Sequence, residues 1–297
     1  MTLRDELIAR ALAAGACAAG VAPAEPISAN DVEAYRRWIG AGCHGTMDYL
    51  AKYDDVRADP RLLLDGARSV LCTAFSYYSP GQERSSLFAD YALGEDYHTA
   101  VRKALLPVAE WMKQRVPGSA TRICIDTAPL RERLMAVRAG LGFIGLNNQL
   151  ITPVGSRVFL AEILWTAAVE PSAPCTDHCL RCGKCVDACP GRALDGCGSL
   201  DARRCLSYLT IEYRGDLPDD LHLSGRIYGC DICQDVCPHN ARGGAEVIAP
   251  LRPRTAVLAL DREAIATLTP ELYASTFRRS AIKRVKLPHL LRNAAKK

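Results

Sequence analysis

Cys179, Cys182, Cys185 and Cys189, with Pro190 directly after, constrain this 297-residue chain more than any other feature. Two-residue gaps let three thiolates converge on three corners of one cube from a short loop. The fourth cysteine sits one helical turn further on and points elsewhere. Proline after it ends the segment, because it has no N–H to donate. A second run, Cys230, Cys233 and Cys237 with Pro238, is one cysteine short. Cys205, in Asp201-Ala-Arg-Arg-Cys205, supplies the missing thiolate.

The first run has the bacterial ferredoxin spacing, and the whole set suffices for two 4Fe–4S clusters. The alternative is structural zinc, which usually pairs two Cys-x2-Cys motifs. Three closely spaced cysteines followed by Cys-Pro favour iron–sulfur instead. Two clusters in sequence carry electrons one at a time, so they imply a donor on one side and an acceptor on the other. A plain ferredoxin would not need the long segment that precedes Cys179.

Fourteen cysteines are many for a chain whose N-terminus carries charges where a signal peptide needs its apolar stretch. No apolar run approaches the roughly 20 residues that span a bilayer. A cytoplasmic protein without a membrane partner is expected, where disulfides rarely persist and thiols need another occupation. Cys175 and Cys197 lie outside the pattern, and Cys17, Cys43, Cys72 and Cys124 are expected as buried core thiols. Net charge is +4, so the protein as a whole is no polycation. Arg278 to Lys286, however, holds five cations in nine residues, and Lys296-Lys297 follow. The segment reads as a short basic helix, either gripping phosphates or forming a solvated face.

Apolar periodicity divides the chain. Residues 2–14 read as a helix with Thr2 as N-cap and Gly15 as its stop, and Asp31 to Ile39 as a second, ended by Gly40. Ser69–Tyr77, Arg122–Asp126 and Arg157–Val169 read as buried strands. His98 to Arg115 has helical spacing, with Val101, Leu105, Val108, Ala109 and Met112 on one side. The expectation is an α/β (α+β) domain over residues 1–170 and a ferredoxin-like double-cluster module over 171–243, entered through the Pro171–Pro174 linker. A basic helical extension over 244–297 completes the division.

Several segments resemble the epoxyqueuosine reductase family. They are His44-Gly-Thr-Met-Asp-Tyr49, Tyr91-Ala-Leu-Gly-Glu-Asp-Tyr97-His98, Asp126-Thr-Ala-Pro-Leu-Arg-Glu-Arg133, Ser207-Tyr-Leu-Thr-Ile-Glu212, Arg226-Ile-Tyr-Gly-Cys-Asp231 and Ser280-Ala-Ile-Lys-Arg284. The resemblance implies a cobalamin-binding reductase core akin to that of the reductive dehalogenases, followed by the double 4Fe–4S module. It also implies reduction of the epoxide of epoxyqueuosine in a tRNA anticodon loop. One cluster would be held by Cys179, Cys182, Cys185 and Cys237. The other, nearer the cobalamin, would be held by Cys189, Cys205, Cys230 and Cys233. Asp126 matches the family's proton donor. Cobalamin contacts are implied at Lys52, Tyr97, His98, Asp126, Ile144, Ser207, Tyr208 and Asp231. The implied partners are tRNA and a low-potential donor such as flavodoxin or ferredoxin, with the protein itself a monomer.

The residues themselves place Asp126 at the end of an apolar strand, at the carboxyl edge of a sheet where open α/β folds bind ligands. Partial burial there is expected to raise its pKa, as a general acid requires. A turn-capping aspartate before Pro129 is the alternative. Two departures stand out. Where the family has Gly-Leu-Gly-Trp-x-Gly-Lys-Asn, this chain has Phe143 and Leu146, losing a cation expected near cofactor and substrate. The chain also stops at Asn293-Ala-Ala-Lys-Lys, where longer members continue into a helical-repeat domain that grips tRNA. Rival readings are a cobalamin reductase acting on another small substrate, and an iron–sulfur protein that only transfers electrons.

Overall fold

The computed structural model describes residues 1–241 and 243–296, so Arg242 and Lys297, the last residue of the basic tail, lie outside the described residues. Its central sheet is built from β1 (Ala18–Pro23), β2 (Ser69–Ser76), β3 (Thr121–Cys124) and β6 (Val158–Trp165) in the order β1-β2-β6-β3. A small hairpin, β4 (Phe143–Ile144) and β5 (Leu150–Ile151), stands apart. Every pair in the central sheet is antiparallel, with Ser76 opposite Val158 and Cys124 opposite Glu162. The mixed helix-and-strand class is therefore as expected. The carboxyl-edge argument needs restating, because antiparallel neighbours point opposite ways: β2 and β3 end at the same edge, where β6 begins.

Alternation along β2 and β6 decides which helices cover which face. Leu71, Phe75, Phe159, Ala161, Ile163 and Trp165 face the helix Tyr97–Arg115, which buries the five apolar positions its spacing marked out. Leu7 and Ala11 of the helix Leu3–Ala13 join them. That helix begins with a capping box in which Thr2 Oγ1 accepts from Asp5 N–H and the Asp5 carboxylate accepts from Thr2 N–H. The second face holds Val70, Cys72, Ala74, Cys124 and Leu164, covered by Met135 and Ala136 of the helix Glu132–Arg138. Gly20 on β1 lets this helix end close in, since a Cβ there would lie 2.1 Å from the Ala139 carbonyl oxygen. Cys72 and Cys124 are buried as expected; Cys17 and Cys43 are only part-buried.

The linker Pro171–Pro174 is pinned to β1, Ser172 accepting from Val21 N–H through its hydroxyl at 2.9 Å and donating its own N–H to the Val21 carbonyl at 2.9 Å. The C-terminal residues do not hang free. Phe277, Ile282, Val285 and Leu290 pack with Phe88, Leu93, Ile227 and Tyr228 in one cluster. Fully buried Asn293 donates to the Thr210 and Ile227 carbonyls at 2.8 and 2.9 Å. The basic stretch departs from the expected helix: it forms a short 3-10 turn, Ala281–Arg284, capped by buried Ser280.

Candidate functional site

The site lies where β2 and β3 end. Two residues past β3, Asp126 adopts φ +52°, a left-handed conformation that non-glycine residues rarely hold. Its N–H donates to Glu132 Oε1 at 2.5 Å, and its Oδ2 lies 3.1 Å from His98 Nε2. His98 opens the helix Tyr97–Arg115, and Asp96 is that helix's N-cap. Asp96 accepts from His98 N–H at 3.0 Å and lies 2.8 Å from His98 Nδ1. Both ring nitrogens are thus committed, so His98 is no free metal ligand. Tyr97 stacks on His98 at 4.1 Å and on Phe159 at 4.3 Å.

Charge balance differs from the expectation of a raised aspartate. Hydrogen bonds to Asp126 and Asp96 push His98 up to about 9, so the imidazole carries its proton at neutral pH. Burial pushes the Asp126 carboxyl up, but the His98 hydrogen bond and charge, with help from Tyr97 and Arg284, outweigh it and hold it below the ordinary range. The transferable proton of the pair therefore rests on His98, with Asp126 as its charged partner.

A cavity of about 610 Å³ opens beside the pair, lined by Tyr97, His98, Asp126, Tyr91, Tyr228, Arg57 and the C-terminal Ser280, Lys283 and Arg284, among others. Tyr91 donates to the Tyr228 hydroxyl at 3.1 Å, and Tyr228 donates to the Ala281 carbonyl at 2.8 Å, so the C-terminal segment is part of the wall. Arg284 forms a two-pronged pair with Glu212 at 2.9 and 2.8 Å and lies over the Tyr49 ring. Among the exposed cations of this segment Arg284 is paired, whereas Arg278, Arg279, Lys283 and Lys286 have no carboxylate partner among the described residues. A second cavity of about 440 Å³ shares Leu50, Arg57 and Asp126 with the first and adds Ile144, Glu132 and Arg131. Asp126 stands on the ridge between them.

Of the implied cobalamin contacts, Tyr97, His98, Asp126 and Ile144 line one or other cavity. Lys52, Ser207, Tyr208 and Asp231 line neither. Lys52 is exposed and gives its carbonyl to Arg57 Nε. Buried Tyr208 holds the loop after His44, its hydroxyl 2.9 Å from both Thr46 N and Thr46 Oγ1. Asp231 is buried and accepts from Asp90 N–H at 2.7 Å, within a network that includes Arg84, Arg157 and Asp235. Sequence reasoning assigned no role to Tyr49, Tyr91 or Glu212, although all three lie inside the segments that carried the resemblance. Arg57 and Glu132 had no assigned role either.

The cysteines form two crossed quartets. Cys179, Cys182, Cys185 and Cys237 line one small cavity together with Leu146. Cys233 is part-buried and feels the charges of Cys230, Cys205 and Cys189, which form the other group. No group of three or more His, Cys, Asp or Glu side chains among the described residues is drawn together on a single metal ion. The Arg181 and Ala193 N–H groups donate to Cys179 Sγ and Cys189 Sγ at 3.4 and 3.3 Å, as backbone amides do to cluster sulfurs. The residues present fit two 4Fe–4S clusters. Leu146 packs against Cys185 and lines neither large cavity, so the missing lysine is a cation lost beside the first quartet rather than beside Asp126.

Comparison with known proteins follows the same division. Residues 57–127 match the family described as epoxyqueuosine reductase QueG, DUF1730, and residues 178–240 match a 4Fe–4S double cluster binding domain. The chain is 38% identical to an epoxyqueuosine reductase of Synechococcus sp. (strain CC9605), over 99% of this chain and 94% of that one. Its fold superposes with a TM-score of 0.87 on an epoxyqueuosine reductase crystallised with an epoxyqueuosine-modified tRNA-Tyr stem loop. That match is 30% identical and covers 98% of this chain and 80% of the other. The Bacillus subtilis epoxyqueuosine reductase matches with a TM-score of 0.88, 29% identity and the same coverage; it was solved with an aspartate catalytic loop swung out of the active site.

Proposed function

This chain belongs to the epoxyqueuosine reductase family, and from that premise we propose that it reduces the epoxide of epoxyqueuosine in tRNA to the alkene of queuosine. Two electrons and two protons enter, both carbon–oxygen bonds of the epoxide break, a carbon–carbon double bond forms, and the oxygen leaves as water. The observation that carries the reading is the His98–Asp126 pair, 3.1 Å apart and holding one proton where two cavities meet.

Electrons reach that point along the chain's own segments. Cys205 precedes the helix Leu206–Ile211, whose last residue and Glu212 line the larger cavity, and Cys230 lies two residues after Tyr228 in the same wall. The quartet containing them is therefore the one next to the reacting groups. Cys182 and Leu180 of the other quartet's cavity are exposed, where a flavodoxin or ferredoxin can approach.

The joined cavities, floored by aromatic rings and edged by Arg57, suit a large, flat, polar-rimmed cofactor such as cobalamin, with Tyr97, His98, Asp126 and Ile144 as its holders. When bound, cobalamin supplies a low-valent cobalt that passes electrons to the epoxide. The protein's part is orientation, exclusion of water and the proton: the proton held on His98 Nε2 passes by way of the Asp126 carboxylate to the leaving oxygen. Lys283, at the cavity mouth without a carboxylate partner among the described residues, is the cation placed to meet an RNA phosphate.

The test is anaerobic reconstitution with iron, sulfide and cobalamin. Cob(II)alamin absorption should appear beside the broad iron–sulfur band, and tRNA from a deletion strain should accumulate the epoxide nucleoside. Loss of cobalamin uptake with intact clusters would leave an electron-transfer protein as the better description.

A further inference from the structure

Buried Glu162 and part-buried Glu132 are two carboxyls near the same sheet face that the reaction as described does not use. Glu162 lies at the centre of β6, opposite both Cys72 and Cys124, fully buried, with neither carboxyl oxygen hydrogen-bonded among the described residues. A carboxylate so placed has nothing to offset the loss of water and must hold its proton. The helix Glu132–Arg138 covers the same face, and its first residue reaches back to the Asp126 N–H at 2.5 Å.

Three facts meet at that bond. Asp126 holds φ +52° although it has a side chain, a conformation that persists only where its surroundings impose it. The Asp126 N–H bond to Glu132 fixes this residue, and with it the direction of the carboxylate toward His98. The loop that carries Asp126 has no regular structure between Cys124 and Glu132, and its backbone–backbone hydrogen bonds are short-range: Thr127 N–H to the Ile125 carbonyl and Leu130 N–H to the Ala128 carbonyl.

We propose that Glu132 is a positioning residue that pins Asp126 in its left-handed conformation by accepting its N–H. This inference rests on Asp126 being the proton donor. An uncharged acceptor suits this place, because a second negative charge beside Asp126 would compete for the proton of His98. Burial, reinforced by Asp126, pushes Glu132 up to about 8, and Glu132 in turn raises Glu162 above the level set by burial. Asp126 is left as the single charge facing Nε2, as Asp96 faces Nδ1, and the backbone bond survives because a carboxylic acid still accepts through its carbonyl oxygen.

Loaded enzyme with Glu132→Gln, Glu132→Ala and Asp126→Asn tests this, with Glu132→Met replacing the alanine variant if that one does not fold. The glutamine amide oxygen accepts as the acid does, so kcat should stay within about threefold of wild type. Without an acceptor, kcat should fall by about 10- to 100-fold, the scale of a misplaced catalytic group, with KM for the tRNA stem loop unchanged. A readout independent of turnover is the ring-proton NMR titration of His98, identified by its loss in His98→Gln. It should remain raised in Glu132→Gln and return toward the ordinary histidine range in Glu132→Ala or Glu132→Met, because Asp126 no longer faces the ring. Glutamine failing as badly as alanine, or an acceptor-free variant with wild-type kcat and a raised His98, overturns the inference. Wild-type turnover by Asp126→Asn would overturn the role of Asp126 itself, and this inference with it.

Discussion

His98 Nε2 and Asp126 Oδ2 lie 3.1 Å apart, one from the first turn of a helix, the other from a loop beyond a strand. The pair sets a pH dependence. His98 is raised by its carboxylate partners, so the charged pair is present below the ordinary histidine pKa and is lost as pH rises through about 9. Turnover should therefore hold across neutral pH and fall on the alkaline side near 9. A pH–rate profile of kcat that declines already near 6.5 would show that His98 is not held by Asp126.

Asp126→Asn should keep the fold, both clusters and cobalamin, since the amide has nearly the same shape. Turnover should fall by about 10²- to 10⁴-fold, the usual contribution of a general acid. Single-turnover assays on an epoxyqueuosine-bearing stem loop measure this directly. Wild-type rates would return Asp126 to capping the turn before Pro129.

The crossed quartets make a distinct claim about Cys189. Although it belongs to the first run in sequence, it sits with Cys205, Cys230 and Cys233. Cys189→Ser should disturb that cluster and spare the one held by Cys179, Cys182, Cys185 and Cys237, leaving more than about half of the roughly eight irons. Electron paramagnetic resonance of the reduced variant tells the two apart. Loss of the Cys179 cluster instead would reverse the assignment.

The cations at the C-terminal end divide into two kinds. Arg284 is spent on Glu212, whereas Lys283 is not, and both line the larger cavity. Lys283→Gln should raise KM for tRNA and flatten the salt dependence of binding by about 0.7 in log–log slope, with kcat nearly unchanged. An unaltered slope would mean that Lys283 meets no phosphate.

Asn293 ties the C-terminal helix to the carbonyls of Thr210 and Ile227, which directly precede the cavity-lining Ile211 and Tyr228. Asn293→Ala leaves both buried acceptors unpaired and should cost about 2–4 kcal/mol. Thermal unfolding checks this; an unchanged Tm would mean that water replaces the amide.

Much of this was legible in the residues because the signals were local. The cysteine spacing marked both clusters, and the apolar positions of Tyr97–Arg115 marked the helix that carries His98. β1 was not legible: Ala-Ala-Gly-Val-Ala-Pro has little strand propensity and is a strand only because β2 pairs with it and Gly20 admits a helix end. The state of Asp126 was not legible either. Strand-end burial predicted a raised carboxyl, but His98 lies 28 residues away in sequence, and only the fold brings its charge to bear. The pairing of Arg284 was not legible for the same reason, since Glu212 is 72 residues away in sequence.

The central claim is tested by supplying anaerobic, cobalamin- and iron-loaded enzyme with a reductant and a tRNA stem loop containing epoxyqueuosine, then digesting the RNA for nucleoside mass spectrometry. The account predicts queuosine, lighter than the starting nucleoside by one oxygen atom, formed by the wild type and formed far more slowly by Asp126→Asn. Unchanged epoxyqueuosine with fully loaded wild-type enzyme would contradict it.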